Sequence, residues 1–134
     1  MVSEYYSPQV IDHFEHPRNA GAMADADAEA YVTNPVCGDS LRLFLRIADD
    51  RIAQASFLSS GCPASIATSS AATELLAGLP LAEAAALPRE RYAAAVGGLP
   101  RSKLHCSVLA ASAVRQAIAE WRKQHAERAG TAPP

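Results

Sequence analysis

Three cysteines, one histidine and one aspartate stand where sulfur or metal chemistry is open to them. Cys37 and Asp39 flank Gly38, Cys62 lies between Gly61 and Pro63, and His105 and Cys106 follow Lys103 and Leu104. Glycine between Cys37 and Asp39 opens backbone conformations closed to other residues, so a thiolate and a carboxylate can turn toward one point. Cys62-Pro63 and His105-Cys106 each read as a helix start, where the macrodipole and unpaired N–H groups favour negative charge. A lowered thiol pKa is therefore expected at Cys62 and Cys106. Thiolates brought together repel one another unless they share a cation. Three sulfurs, one imidazole and one carboxylate suit zinc or iron, whereas calcium and magnesium would want oxygen alone.

The same residues have other readings. A free cysteine taken singly is more often a core residue than a ligand, but all three fall at boundaries between expected elements, where ligands tend to stand. No Cys-x-x-Cys pair exists, so the pattern is not a zinc finger or ribbon, and the fold must bring the ligands together. A nucleophile pair of Cys106 with His105 is one rival. Sequence neighbours at a helix start point in different directions, so a true base would have to come from elsewhere. A structural zinc domain, or a zinc-dependent sulfur acceptor, is the other. A chain with 49% hydrophobic residues should fold without metal, whereas a structural zinc domain loses its fold on chelation. His13, His16 and His125 read as surface or capping residues, Glu74 and Glu83 as solvated, and Asp25, Asp27 and Glu29 as a soluble loop.

The elements that must position these residues follow from periodicity. Ser7 as N-cap and Pro8 at the first helical position predict a short helix that buries Val10, Ile11 and Phe14 and ends at His16-Pro17. Residues 18–30 read as an exposed connection, because Ala and Asp are poor strand formers. Tyr31 to Val36 is expected to be a strand. Leu41, Leu43, Leu45 and Ile47 alternate with Arg42, Phe44, Arg46 and Ala48 as a second, Asp49-Asp50 supplies a turn, and residues 52–58 form a third. Helices are expected over 62–77, with Ile66, Ser70, Thr73 and Ala77 on one face, over 81–86 and 88–96, and from His105 to about Ala126, with Leu109, Val114, Ile118 and Trp121 facing the core. The fold class is α+β: a small three-stranded antiparallel sheet covered by helices, with a short N-terminal and a long C-terminal helix. Residues 1–128 form one domain and 129–134 a disordered tail.

Composition narrows the function. Twelve Lys+Arg against fourteen Asp+Glu, with no block of like charge, argue against nucleic acid or an anionic membrane as partner. No apolar run approaches the roughly 18 residues of a membrane span, and the first residues lack a basic segment followed by an apolar one. The expected location is the cytoplasm. An odd number of cysteines there argues against a disulfide framework.

Four segments resemble the IscU/NifU-type iron–sulfur cluster assembly scaffolds: Tyr6 to Gly21, Asn34-Pro-Val-Cys-Gly-Asp-Ser40, Gly61-Cys-Pro-Ala-Ser-Ile-Ala-Thr-Ser-Ser70, and Lys103-Leu-His-Cys-Ser-Val-Leu-Ala110. The chain looks like a stand-alone IscU-like or NifU N-terminal scaffold. The resemblance implies a scaffold rather than an enzyme, on which Cys37, Cys62 and Cys106 hold a transient 2Fe–2S cluster, with Asp39 and His105 competing for the remaining position. The same residues would bind zinc in the cluster-free form. It further implies sulfur delivered as a persulfide by a cysteine desulfurase onto Cys106, iron and electrons from other donors, and transfer of the cluster to acceptor apo-proteins. The place of Cys106 at a helix start beside His105 fits an accessible thiolate.

A durable electron-transfer cluster takes four thiolates. Three thiolates and one exchangeable ligand, in a partly exposed site, leave a weaker bond suited to release, and Lys103 could pair with Asp39 or a thiolate when the metal leaves. Tyr6 matches a tyrosine the family uses in dimerisation, which implies a homodimer; ordinary packing of the first helix is the alternative. Leu99-Pro-Arg-Ser-Lys103 lacks the second proline and the valine of the family's Leu-Pro-Pro-Val-Lys, which argues against dependence on a dedicated Hsp70-type chaperone.

Overall fold

Local chemistry sets the first helix, α1 (Pro8–Glu15), as expected: the Ser7 hydroxyl accepts the Val10 N–H at 3.1 Å and Pro8 occupies the first turn. The computed structural model describes residues 6–35 and 38–130, with side chains through 125. Three strands follow, β1 (Ala28–Thr33), β2 (Ser40–Ala48) and β3 (Arg51–Ser60), then α2 (Pro63–Leu76), α3 (Leu81–Ala86), α4 (Arg89–Ala95), a 3-10 turn (Arg101–Lys103) and α5 (His105–Gly130). The strands form one antiparallel sheet in the order β1-β2-β3. Asp49 and Asp50 both adopt positive φ, 54° and 61°, the backbone that a tight two-residue hairpin requires.

Strand β1 begins earlier and ends earlier than the alternation suggested. Ala28 and Ala30 are buried where α5 lies over the strand, and Glu29 between them turns outward to Arg42 at 2.6 Å. Pairing with β2 and packing under a helix outweigh the weak strand propensity of alanine. Asp27 is likewise engaged, accepting the Ile47 N–H at 2.7 Å beside the irregularity between Arg46 and Ile47. The expected strand end at Val36 lies outside the described residues.

The core lies between the inner face of the sheet and two helices. Leu41, Leu43, Leu45, Ile52 and Phe57 meet Leu76 of α2 and Val114 and Ile118 of α5. Helix α2 is buried on nearly every side rather than along one stripe, because α1, α4, α5 and β3 all pack on it; its Ala, Ser and Thr residues make that close approach feasible. A second cluster joins Val10, Ala67, Ala71 and Val96, with Tyr6 packed against it. Tyr6 thus has the packing role available to it within one chain. Helix α5 runs past the expected end near Ala126, to Gly130. Residues 131–134 lie outside those described, and among the described residues no helix is long and apolar enough to cross a membrane.

His13, not Phe14, faces inward from α1. Phe14 is 41% exposed, whereas His13 is 8% exposed, with Nδ1 2.8 Å from Ser70 Oγ and Nε2 3.6 Å from Glu74. The surface role expected of His13 fails because the Val10 face of α1 docks on α2, and position 13 shares that face. Ser70 Oγ accepts the Arg18 N–H at 2.8 Å, so its own proton is available to His13 Nδ1. Burial lowers the His13 pKa below its ordinary 6.5, with Arg18 acting in the same direction and Glu74 and Asp12 opposing it. The unfolded chain therefore takes up a proton that the folded chain resists. This contribution to stability is complete above pH 6.5 and is lost as pH falls toward the lower folded value. Urea midpoints compared at pH 7 and at acidic pH are expected to fall more for wild type than for His13→Gln.

Register brings three connections to one end of the sheet. Thr33 pairs with Ser40 and Ser40 with Ser60, so Asp39 and Gly61 leave adjacent strands side by side. The first turn of α5 arrives at the same end, where His105 and Val108 line a groove with Thr33, Asn34 and Pro35.

Candidate metal centre

Each donor is placed by a local feature. In the β1–β2 loop, the Gly38 N–H donates to the Asn34 carbonyl at 2.7 Å and the Asn34 N–H to the Asp39 carbonyl at 2.8 Å, a tight turn that Gly38 closes at φ +78°. Asp39 is thereby turned inward and is 5% exposed. Cys62 is the N-cap of α2, with Pro63 at the first helical position. His105 and Cys106 open α5 directly after the 3-10 turn, in which Lys103 is half-buried. Cys37 lies outside the described residues.

The donor atoms of Asp39, Cys62 and Cys106 all lie within 4.8 Å of one another. Asp39 Oδ2 is 3.9 Å from Cys62 Sγ and 3.4 Å from His105 Nε2. His105 Nε2 is buried yet makes no hydrogen bond among the described residues, although its neighbour is a carboxylate. An inward carboxylate and two thiols at one point, with an imidazole nitrogen beside the carboxylate, form a donor set of the type zinc and iron accept. Of the sequence neighbours His105 and Cys106, Cys106 joins the mutual cluster and His105 meets it only at Asp39. Two grooves of about 480 and 680 Å³ share His105 and Val108 in their walls, so the imidazole stands between the cluster and the surface.

Asp39 and Cys106 are buried, and Cys62 and His105 are half-buried, so the site is partly exposed. One expectation is corrected: the Cys106 thiol is not acidified by its helix start. Burial pushes its pKa up to about 12, with Cys62 and Asp39 adding to the rise. A helix terminus lowers a thiol pKa by fractions of the effect that desolvation exerts on a buried anion. Without a bound metal, Cys106 is therefore a neutral, buried thiol.

Two participants have no signal in the cysteine spacing. Ser65 Oγ lies 2.5 Å from Asp39 Oδ2 and 3.2 Å from Cys106 Sγ. Gly61 leaves room for the same carboxylate: a Cβ there would stand 2.4 Å from Asp39 Oδ1. The three-residue step from Cys62 to Ser65 on a helix start is the clue that spacing could have offered.

Known proteins are similar to this chain in sequence and fold. Residues 5–128 match the family model described as the NifU-like N terminal domain. The chain is 47% identical over 120 residues to the iron-sulfur cluster assembly scaffold protein IscU 1 of Archaeoglobus fulgidus, covering 90% of this chain and 78% of the relative. It is 39% identical over 123 residues to the iron-sulfur cluster assembly scaffold protein IscU of Escherichia coli K12, covering 89% and 95%. A solved N-terminal domain of a NifU-like protein from Brucella abortus shares the fold, with a TM-score of 0.72 over 89% of this chain and 95% of that one, at 18% identity.

Proposed function

Since the chain belongs to the NifU-like N-terminal domain family, we propose that it is a scaffold on which a transient iron–sulfur cluster is assembled and from which the cluster passes to acceptor apo-proteins. The observation behind this reading is the convergence of Asp39, Cys62 and Cys106 within 4.8 Å, with His105 Nε2 3.4 Å from the carboxylate. Cys37, two residues before Asp39, supplies the third sulfur. The cargo is a 2Fe–2S cluster, for which three thiolates leave one position to Asp39 or His105; zinc takes the same donors when no cluster is present. A cysteine desulfurase supplies sulfur. The Cys106 sulfur attacks the outer sulfur of the donor's persulfide, and the donor cysteine leaves as its thiolate, taking up the proton that Cys106 gives up. Because Cys106 is buried, the donor must open the site to reach it. Lys103 stands three residues before Cys106, where an ammonium can compensate charge once metal has left.

Anaerobic reconstitution with iron, cysteine and a cysteine desulfurase tests this reading. Visible sulfide-to-iron charge-transfer bands are the expected outcome, and their absence from folded wild-type protein would contradict it.

Metal removal separates this reading from a structural zinc role. The core of Leu41, Leu43, Leu45, Leu76, Val114 and Ile118 is formed without any donor from the site. Far-UV circular dichroism and the unfolding midpoint are expected to change little after chelation; collapse to a coil spectrum would assign the site a structural role.

A further inference from the structure

We propose that Ser65 is the positioning residue of the cluster site, its hydroxyl holding the Asp39 carboxylate and the Cys106 sulfur in a ligating arrangement before cargo arrives. The inference rests on the scaffold reading of the site. Ser65 Oγ contacts three donors: Asp39 Oδ2 at 2.5 Å, Cys106 Sγ at 3.2 Å and Cys62 Sγ at 3.8 Å. A hydroxyl has one proton and two lone pairs, and a carboxylate can only accept, so the Ser65 proton goes to Oδ2 and a lone pair remains for the Cys106 S–H. Oδ2 also faces the Cys62 thiol, which donates to it at 3.9 Å; that contact ends when the sulfur gives up its proton to bind metal, whereas the Ser65 bond can persist. The Ser65 bond therefore orients Oδ2 without consuming it.

Ser65 is itself held firmly. It is 2% exposed, in the first turn of α2 behind Pro63. Its N–H donates to the Cys62 carbonyl at 3.0 Å, and its carbonyl accepts the Ser69 hydroxyl at 2.8 Å. The helix start that presents Cys62 thus also fixes Asp39 from the β1–β2 loop and Cys106 from α5, tying three elements through one side chain. Outer partners of metal ligands act in this way, by restricting ligand orientation before binding.

Zinc ion is the probe, titrated into the full chain against a chromophoric chelator, for wild type, Ser65→Ala, Ser65→Thr, Asp39→Ala and the Ser65→Ala/Asp39→Ala double variant. Ser65→Ala is expected to weaken zinc binding by about 10- to 100-fold. Ser65→Thr, which keeps the hydroxyl, should recover most of it. In the Asp39→Ala background the Ser65 change should cost far less than it does alone, because its effect runs largely through the carboxylate. Circular dichroism checks the fold of each variant; if threonine's methyl does not fit, the double-variant cycle decides. Zinc bound by Ser65→Ala as tightly as by wild type or more so, or an equal loss with and without Asp39, would overturn the proposal. Failure of the scaffold reading is a separate outcome: wild type would then form no cluster even though the zinc series behaved as stated.

Discussion

Cys106→Ala is expected to reduce cluster accumulation by more than about a hundredfold, beyond what loss of an outer partner produces, while the protein stays folded. The two halves of this expectation have separate causes. Cys106 Sγ stands within 4.8 Å of the Asp39 and Cys62 donor atoms, so removing it deletes one donor of that group. Without a bound metal the same sulfur is a buried neutral thiol, its pKa pushed up to about 12 by burial first of all. Alanine in its place therefore removes one sulfur atom from the core and no charge, which costs on the order of 1 kcal/mol. Absorbance during anaerobic reconstitution reads the first effect and thermal unfolding the second. A variant that accumulates cluster like wild type would remove Cys106 from the ligand set.

Gly61→Ala should damage the site from the opposite side. A Cβ at position 61 would lie 2.4 Å from Asp39 Oδ1 and 2.7 Å from its Cγ, and the backbone there has φ +155°, which L side chains rarely adopt. The carboxylate cannot simply swing away, because Oδ2 is fixed by Ser65. Either Asp39 leaves its place or the β3–α2 junction shifts and takes Cys62 with it. Zinc affinity is expected to fall by about 10- to 100-fold. Stability should fall by about 1–3 kcal/mol, the range for a residue forced into a sparsely populated backbone region. Isothermal titration and urea unfolding measure the two, and unchanged zinc affinity would show that Asp39 does not depend on the space Gly61 leaves.

What the sequence revealed and what it hid divide along physical lines. Features fixed by local chemistry were legible: the Ser7-Pro8 helix start, the Asp49-Asp50 hairpin, the Cys62-Pro63 cap and the opening of α5 at His105. Features decided by what packs against a residue were not. Ala28 and Ala30 enter a strand because α5 covers them, and His13 turns inward because α1 docks on α2. The charge state of Cys106 is set by burial, which a helix-start argument cannot weigh. Ser65 escaped notice because serine near a helix start has an ordinary capping explanation, and only the fold brings Asp39 and Cys106 to its hydroxyl.

The proposed scaffold role requires that the site release its cargo, and cluster transfer measures that release. Reconstituted wild type and Asp39→Ala would each be mixed anaerobically with an apo-ferredoxin, and the acceptor's cluster followed by visible circular dichroism. Asp39 Oδ2 and His105 Nε2 are 3.4 Å apart; on the proposed scaffold reading they compete for one position, and removing the carboxylate would leave it to the imidazole alone. The predicted result is ready transfer from wild type and slower transfer from Asp39→Ala. A wild-type protein that keeps its cluster in the presence of the acceptor, or transfer that is no slower without the carboxylate, would contradict the account.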